Sequence, residues 1–455
     1  MMYKQISLAV LAALSFQAQA ADNTYFDNFT PLAGSQTTAL PQTAPALLSS
    51  PNFSQVRLAD RAGSGVAGSN WDMIDADATG RYLFMPFETS QGGVMRVDLQ
   101  DSNYATRTTT IVAPGTQGFV SGDASRTTPW GSYLTAEESW GAGSTKGRLF
   151  EVTNPTTAGA NTGNFVQRSV IPRVSHEGLA FDAANNLYFI DEFNGGSIYK
   201  YTSSNPTATS GNDYFASGQT FVAKVNGGSN ANAVGTIAWE AITNATGGAI
   251  AGSALATDGT IDGRVSANNV GGTDYQRPED LETKVLANGD EVMFIATTTT
   301  NEVYMFNFTS NTASLFANTN TIDLATGNAV GASAFTSPDN LAIDANGNIY
   351  IIEDRNGAVD NDIWFAKDLN NDGDLLDAGE GMGRWASNGI PGSEFTGLYF
   401  DKNDPNVAYF NIQHPTGGND SLIQVTAVPE PESYAMFLAG LGLMGVSARR
   451  HNQKK

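Results

Sequence analysis

Five short stretches set acids, amides or imidazoles beside turn-forming residues. They are Glu137-Glu138 following Thr128-Pro129-Trp130-Gly131, Ser175-His176-Glu177, Arg277-Pro278-Glu279-Asp280, Ser337-Pro338-Asp339-Asn340 and Asn411-Ile412-Gln413-His414-Pro415. Carboxylates gathered from such stretches could hold hard cations through oxygen. A guanidinium among them, that of Arg277, could clamp phosphate oxygens with its planar fork. Cysteine is absent, and histidine occurs only at His176, His414 and His451. Thiolate chemistry is thereby excluded, and a zinc site built mainly of imidazoles has too few ligands. Each stretch alone has a plainer reading: Pro-Glu-Asp and Pro-Asp-Asn form turns, because Asp and Asn bond their own backbone. The chemical case rests on the set.

A further stretch, Asp368 to Glu380, reads as a separate calcium loop. Oxygen side chains at Asp368, Asn370, Asp372 and Asp374, with Gly373 for the bend, match what an EF-hand-type loop needs. Gly379 stands at the twelfth place, where a Glu is usual, and Asp377 could serve instead. A solvated acidic turn is the alternative. A calcium here would be structural, pinning an exposed loop.

The elements that must position these groups are short hairpins. Gly178–Asp182 leads through Asn185-Asn186 to Leu187–Asp191, and Asn340–Asp344 leads through Asn346-Gly347-Asn348 to Ile349–Glu353. Gly397–Asp401 leads through Asn403-Asp404-Pro405 to Val407–Asn411, with looser copies near Trp71 and Glu279 and a pair around Tyr133 and Leu149. Alternating apolar residues bounded by Asn, Asp, Gly and Pro are hairpin signals. About six such units predict an all-β fold, a six-bladed β-propeller with long loop insertions. A β-sandwich is the runner-up. The predicted organisation is a lead-in over 21–50 and a propeller over 51–427. Segments 202–235 and 243–275 are read as decorated loops. In a propeller, residues distant in sequence meet around one channel.

The set resembles the PhoX-type alkaline phosphatases. The specific matches are Thr128-Pro129-Trp130-Gly131 with Glu137-Glu138, Arg277-Pro278-Glu279, Ser337-Pro338-Asp339-Asn340-Leu341 and Asn411-Ile412-Gln413-His414-Pro415. The resemblance spans Trp71 to Pro415 and implies phosphoester hydrolysis with calcium and a paired iron centre. It implies metal ligands at Glu137, Glu177, Glu279, Asp339 and Asn340, and phosphate binding by Arg277. His414 joins Arg277 as a candidate substrate contact, and Arg277, Glu279 and Glu177 are the candidate catalytic set. Ala136 stands where the family's phosphatases place an iron-ligating cysteine. That departure favours calcium over iron. It also keeps open a non-catalytic calcium-binding protein of the cell surface or polysaccharide matrix. A calcium-dependent lactonase shares only the architecture.

The ends concern location. Lys4, the apolar run from Ile6 to Leu14 and Ala18-Gln19-Ala20 form the three parts of a secretory signal over 1–20, to be cut by signal peptidase. At the other end, Val428-Pro429-Glu430-Pro431-Glu432 excludes helix. It precedes an apolar run from Tyr434 to Ala448 and then Arg449, Arg450, Lys454 and Lys455. The order resembles a PEP-CTERM sorting signal over 428–455, containing a short hydrophobic helix and implying an exosortase-type processing partner in a Gram-negative bacterium. Membrane contact is expected only through this segment. The expected location is the periplasm, outer surface or extracellular matrix, with the tail as a transient anchor. Between Ala20 and Pro429 lie 19 Lys and Arg against 44 Asp and Glu. Such a surface repels nucleic acid, and extracellular polysaccharide is the expected matrix partner.

Overall fold

The computed structural model describes residues 24–228, 233–355 and 360–428. The signal segment and the apolar tail, with its expected helix, lie outside these residues. The described chain is built almost wholly of antiparallel strands. One four-stranded sheet runs Asp75–Ala76, Tyr82–Pro86, Val94–Asp98 and Thr108–Val112; the next runs Arg126–Thr127, Tyr133–Ala136, Leu149–Val152 and Phe165–Gln167. A nine-stranded sheet joins two meanders, one starting at Leu179–Phe181 and the other at Pro278–Val285, through Gly235–Ala241 paired to Thr312–Asn318. A five-stranded sheet starts at Pro338–Ile343. The last meander, from Glu394–Phe400, is completed by an early strand, Phe53–Asp60, paired to Ser421–Ala427. The two ends of the described body are thus tied into one sheet, which closes a propeller-like arrangement.

The hairpins form where the turn chemistry places them. The Asp182 carboxylate accepts from the backbone and side-chain amides of Asn186, at 2.7 Å each, and from the Tyr188 hydroxyl at 3.1 Å. Asp344 repeats this with Asn348 at 2.9 and 2.8 Å and Tyr350 at 3.3 Å. The polar turn thereby locks the register that sends alternate side chains into the core. Apolar clusters lie between successive sheets. One of them packs Tyr350, Phe365 and Trp385 against Phe395, Phe410 and Ile423. Each fully buried aromatic contributes about 1.5–3 kcal/mol relative to an exposed one.

The lead-in is part of this body. Phe26 is fully buried with ring centroids 5.5 Å from Phe53 and 5.6 Å from Trp385, and Ala46–Leu48 adds a fifth strand against Ala386–Asn388. Within the expected loop 202–235, Gly218–Val225 is a sheet strand. Its alternation was masked by Gly, Ser and Thr on either side. The 243–275 stretch holds a small two-stranded ribbon and the helix Gly263–Val270.

The first strands of the sheets pack against one another around the centre. Asp75–Ala76 meets Arg126–Thr127, Leu179–Phe181 meets Pro278–Val285, that strand meets Pro338–Ile343, and Pro338–Ile343 meets Glu394–Phe400. Hydrogen bonds bridge the remaining joints, Arg126 Nε to the Leu179 carbonyl at 2.6 Å and Thr396 Oγ1 to the Trp71 carbonyl at 2.9 Å. Two glycines permit the approach. A Cβ on Gly178 would lie 2.6 Å from the Leu281 nitrogen, and one on Gly397 would lie 2.5 Å from the Ile74 nitrogen.

Candidate metal and phosphate site

A single turn pattern, repeated around the centre, builds the site. The carbonyl of Asn70 accepts from the amide of Glu88 at 2.9 Å, Ser121 from Glu138 at 2.9 Å, Ser175 from Glu192 at 2.8 Å, Arg277 from Thr298 at 3.0 Å and Ser337 from Asp354 at 3.0 Å. Two residues after each acceptor comes an acid: Asp72, Asp123, Glu177, Glu279 and Asp339. Glu394 follows Gly392 in the same spacing. Most acceptors hold left-handed backbone, with φ of 51° at Asn70, 40° at Ser121, 58° at Arg277 and 50° at Ser337. Such strain in residues other than glycine persists where surroundings over-determine it, often at functional sites.

The result is a cavity of about 250 Å³. Its wall carries those six acids together with Glu88, Glu138, Glu192 and Asp354; Arg277 and His414 are the cations among the described lining residues. Glu177, Glu192 and Glu279 each offer an oxygen within 4.8 Å of the others. Arg277 lies across them, Nε 2.5 Å from Glu192 Oε1 and 3.2 Å from Glu279 Oε1. His414 Nε2 bonds Glu394 Oε1, while Nδ1 lies 3.1 Å from the Gly392 carbonyl.

So many carboxylates cannot all ionise in a buried space. Burial raises Asp72, Glu177 and Glu279 well above the ordinary carboxylate range, with neighbouring acids adding to it. Burial and then the charge of Asp354 bring Asp339 up to about 7. Burial raises Glu394, and the bond to Glu394 raises His414, so this pair holds a proton over the neutral range.

The donor set fits divalent cations. Glu177 Oε2, Glu192 Oε2, Glu279 Oε2, Asp123 Oδ1 and Glu394 Oε2 are buried without a hydrogen-bond partner among the described residues, while Glu279 Oε1 is ion-paired to Arg277. Buried polar atoms left in this way are costly. Hard oxygen atoms converging from several turns of the fold are what calcium or magnesium takes as ligands.

The expected ligands fall in three places. Glu177, Glu279 and Asp339 line the cavity, beside Arg277 and His414. Glu137 does not: it is fully buried and gripped by Arg148, whose Nε donates to Oε2 at 2.8 Å. Its neighbour Glu138 lines the cavity, so the expectation of Glu137 as a ligand there is corrected: its carboxylate is turned away, onto Arg148. Asn340 stands behind the wall. Its Oδ1 accepts from the Gly397 amide at 2.7 Å, and its Nδ2 donates to Asp339 at 2.7 Å and lies 3.4 Å from Glu177. Asn340 therefore holds two of the lining carboxylates, those of Asp339 and Glu177. Ala136 is fully buried in an apolar cluster with Leu134 and Leu149 and is not among the lining residues.

Asp72, Glu88, Asp123, Glu192, Asp354 and Glu394 were not anticipated. A signal was present: three second strands end in paired acids, Glu137-Glu138, Asp191-Glu192 and Glu353-Asp354. In each pair the first acid serves the scaffold. Asp191 binds Arg264 through both oxygens at 2.5 and 2.6 Å, and Glu353 accepts from the amides of Thr336 and Asp362. The second acid of each pair faces the cavity.

The Asp368 loop is separate from this cavity. Asp368 accepts from the amides of Asp372 at 3.1 Å and Gly373 at 3.0 Å. Asn370 Nδ2 reaches Asp372 Oδ2 at 2.9 Å and Asp377 Oδ2 at 2.8 Å. Asp374 turns to the Leu376 amide at 2.9 Å, and Glu380 accepts from Leu369 and Asp377.

The model of the alkaline phosphatase PhoX family matches residues 115–416, more than half of the chain. The chain belongs to the PhoX alkaline phosphatase family. The solved PhoX of Pseudomonas fluorescens, in complex with vanadate as a transition-state analogue, is 18% identical with a TM-score of 0.59. The match covers 87% of this chain and 98% of that one. At that identity it supports the fold, an all-β propeller-like arrangement. A β-propeller domain of Myceliophteria thermophila Cps50 (Swd1) aligns at 10% identity over 80% of this chain and 98% of its own, with a TM-score of only 0.37. No curated protein matches in sequence. Residues 427–450 match the PEP-CTERM protein-sorting motif, which marks export and membrane-associated sorting in Gram-negative bacteria. Among the described residues no helix is long and apolar enough to cross a membrane.

Proposed function

We propose that this PhoX family member is an exported, divalent-cation-dependent phosphoesterase, with calcium as the cation and the acidic cavity as its active site. The observation that carries this is the convergence of ten cavity carboxylates, several with orphaned oxygens, around the guanidinium of Arg277. Glu138, Glu177, Glu192, Glu279 and Asp339 would hold the cations. When bound, these supply positive charge that neutralises phosphate oxygens and activates water.

The chain's own groups do the rest. Arg277 presents five N–H donors in a fork; those not engaged by Glu192 and Glu279 bind phosphate oxygens and stabilise charge as it develops. Asn340 fixes Asp339 and Glu177. His414, whose side chain is 33% exposed, holds a proton with Glu394 at the rim, where a leaving oxygen would need one. Six blades suit the recurrence of the acid turn from Asp72 to Glu394. The Asp368 loop would bind a structural calcium. The PEP-CTERM tail would be processed by an exosortase-type enzyme after signal peptidase removes 1–20, leaving the body in the periplasm, at the outer surface or in the polysaccharide matrix.

The test is hydrolysis of a chromogenic phosphomonoester and diester by the purified body, with calcium and after chelation. Turnover should need the cation and be lost in Glu279→Gln. A second reading, a non-catalytic calcium-binding surface protein, is favoured by Ala136. Calcium-dependent stabilisation without any phosphoester turnover would select it.

A further inference from the structure

The second acid of the repeated turn is missing at two places, Thr298 and His414, and an exposed aromatic ring outside the cavity lining stands beside the first. Where the repeated turn elsewhere brings Glu88, Glu138, Glu192 or Asp354, the corresponding amide belongs to Thr298, bonded to the Arg277 carbonyl at 3.0 Å. The Arg277 amide in turn donates to the Phe193 carbonyl at 3.1 Å, which also accepts from Gly196 at 2.7 Å. Phe193 follows Glu192 directly, so backbone bonds fix it next to two lining residues. Thr299 Oγ1 reaches Asn194 Oδ1 at 2.7 Å and ties the same two segments together.

Phe193 is nevertheless 48% exposed. One face of its ring is covered: the Arg264 guanidinium lies 4.0 Å from the centroid and is itself clamped by the fully buried Asp191. A rigid aromatic ring held with one face on a guanidinium and the other toward water is a stacking platform. The acids around the rest of the cavity disfavour a leaving group that carries further negative charge. Beside Phe193, the Arg277 guanidinium offsets the charge of Glu192 and Glu279.

Resting on the phosphoesterase reading, the geometry points to Phe193 as a specificity residue that stacks the leaving group of the ester, selecting an uncharged planar aromatic alcohol over an alkyl one. The phosphate lies toward Arg277 and the aromatic group over Phe193.

The experiment compares phenylphosphonate with methylphosphonate binding to the calcium-loaded protein by calorimetry, alongside turnover of phenyl and methyl phosphate. The native protein should bind the phenyl compound about fivefold more tightly, the size of one aromatic contact. Phe193→Ala should bring that ratio near one, and Phe193→Trp should keep it. Phe193→Leu, which retains apolar contact with Arg264, serves if the alanine variant does not fold, and should also lose the preference. A native ratio near one, or a ratio kept in Phe193→Leu, overturns the platform while turnover of both esters leaves the phosphoesterase reading standing. Failure to bind either phosphonate and to turn over either ester overturns both.

Discussion

Arg148 grips Glu137 through two nitrogens, Nε to Oε2 at 2.8 Å and Nη2 to Oε1 at 2.5 Å, and the carboxylate also accepts from the Arg148 amide at 3.1 Å. Glu137 is therefore a structural acid, and its neighbour Glu138 is the one offered to the cavity. Breaking a buried pair from one side leaves an uncompensated charge, so Glu137→Gln should lower stability by about 3–5 kcal/mol. Glu138→Gln should leave the melting temperature of the chelated protein at or above native and weaken cation binding. Thermal melts with and without chelator, set beside calcium titrations, separate the two residues.

The crowded cavity gives the cation-free protein an unusual pH response. Burial raises the folded-state pKa of Glu177 and Glu279 far above their unfolded values, and that of Asp339 to about 7. Below about pH 4 both states hold these protons and no penalty arises. As pH rises, the unfolded chain releases protons that the folded cavity retains, so stability falls until the folded groups titrate. The melting temperature of chelated protein should drop by about 5 °C or more between pH 5 and pH 8. Calcium should abolish the drop, because it replaces protons as the partner of the carboxylates. A chelated protein whose melting point rises over that interval would contradict the assignment.

Much of this was legible in the residues because the hairpins are locally coded. Asp182 and Asn186, like Asp344 and Asn348, write both the turn and its register into adjacent positions, so the strand pairs follow directly. Glu177, Glu279 and Asp339 were legible because each sits at the start of such a strand. The choice between Glu137 and Glu138 was not. Two adjacent acids at a strand end face opposite ways, and only the distant Arg148 decides which is consumed by the scaffold. Asp72, Asp123 and Glu394 escaped for a related reason: their chemistry depends on the turn geometry at Asn70, Ser121 and Gly392, which has no signature in side-chain type. The Gly218–Val225 strand was hidden because its partners, Ile198–Ser203 and Gly235–Ala241, lie across polar loops.

Arg277 tests whether the cavity handles phosphate. Its fork spans Glu192 and Glu279, a geometry that a lysine's single ammonium cannot reproduce. Arg277→Lys keeps the charge and so should preserve calcium binding and keep stability within about 1 kcal/mol of native. Loss of a donor aimed at developing charge should lower kcat by about 100-fold. Equal activity in the two proteins would remove Arg277 from the phosphate-binding role.

The Asp368 loop offers a prediction independent of catalysis. Asn370, Asp372 and Asp377 crowd together, with an amide nitrogen between two carboxylates. A calcium there would draw the amide oxygen inward instead and neutralise the acids. Asp372→Ala removes one carboxylate while leaving both oxygens of Asp368 accepting from the amides of residues 372 and 373. The chelated variant should therefore melt close to the chelated native protein. The gain on adding calcium should shrink, by up to about 2.7 kcal/mol if native calcium was at a hundred times its dissociation constant. Phosphoester turnover at moderate temperature should stay at the native level, since the loop stands apart from the cavity. An unchanged calcium increment would leave the loop as a solvated acidic turn, and a parallel loss of turnover would show that it communicates with the active site.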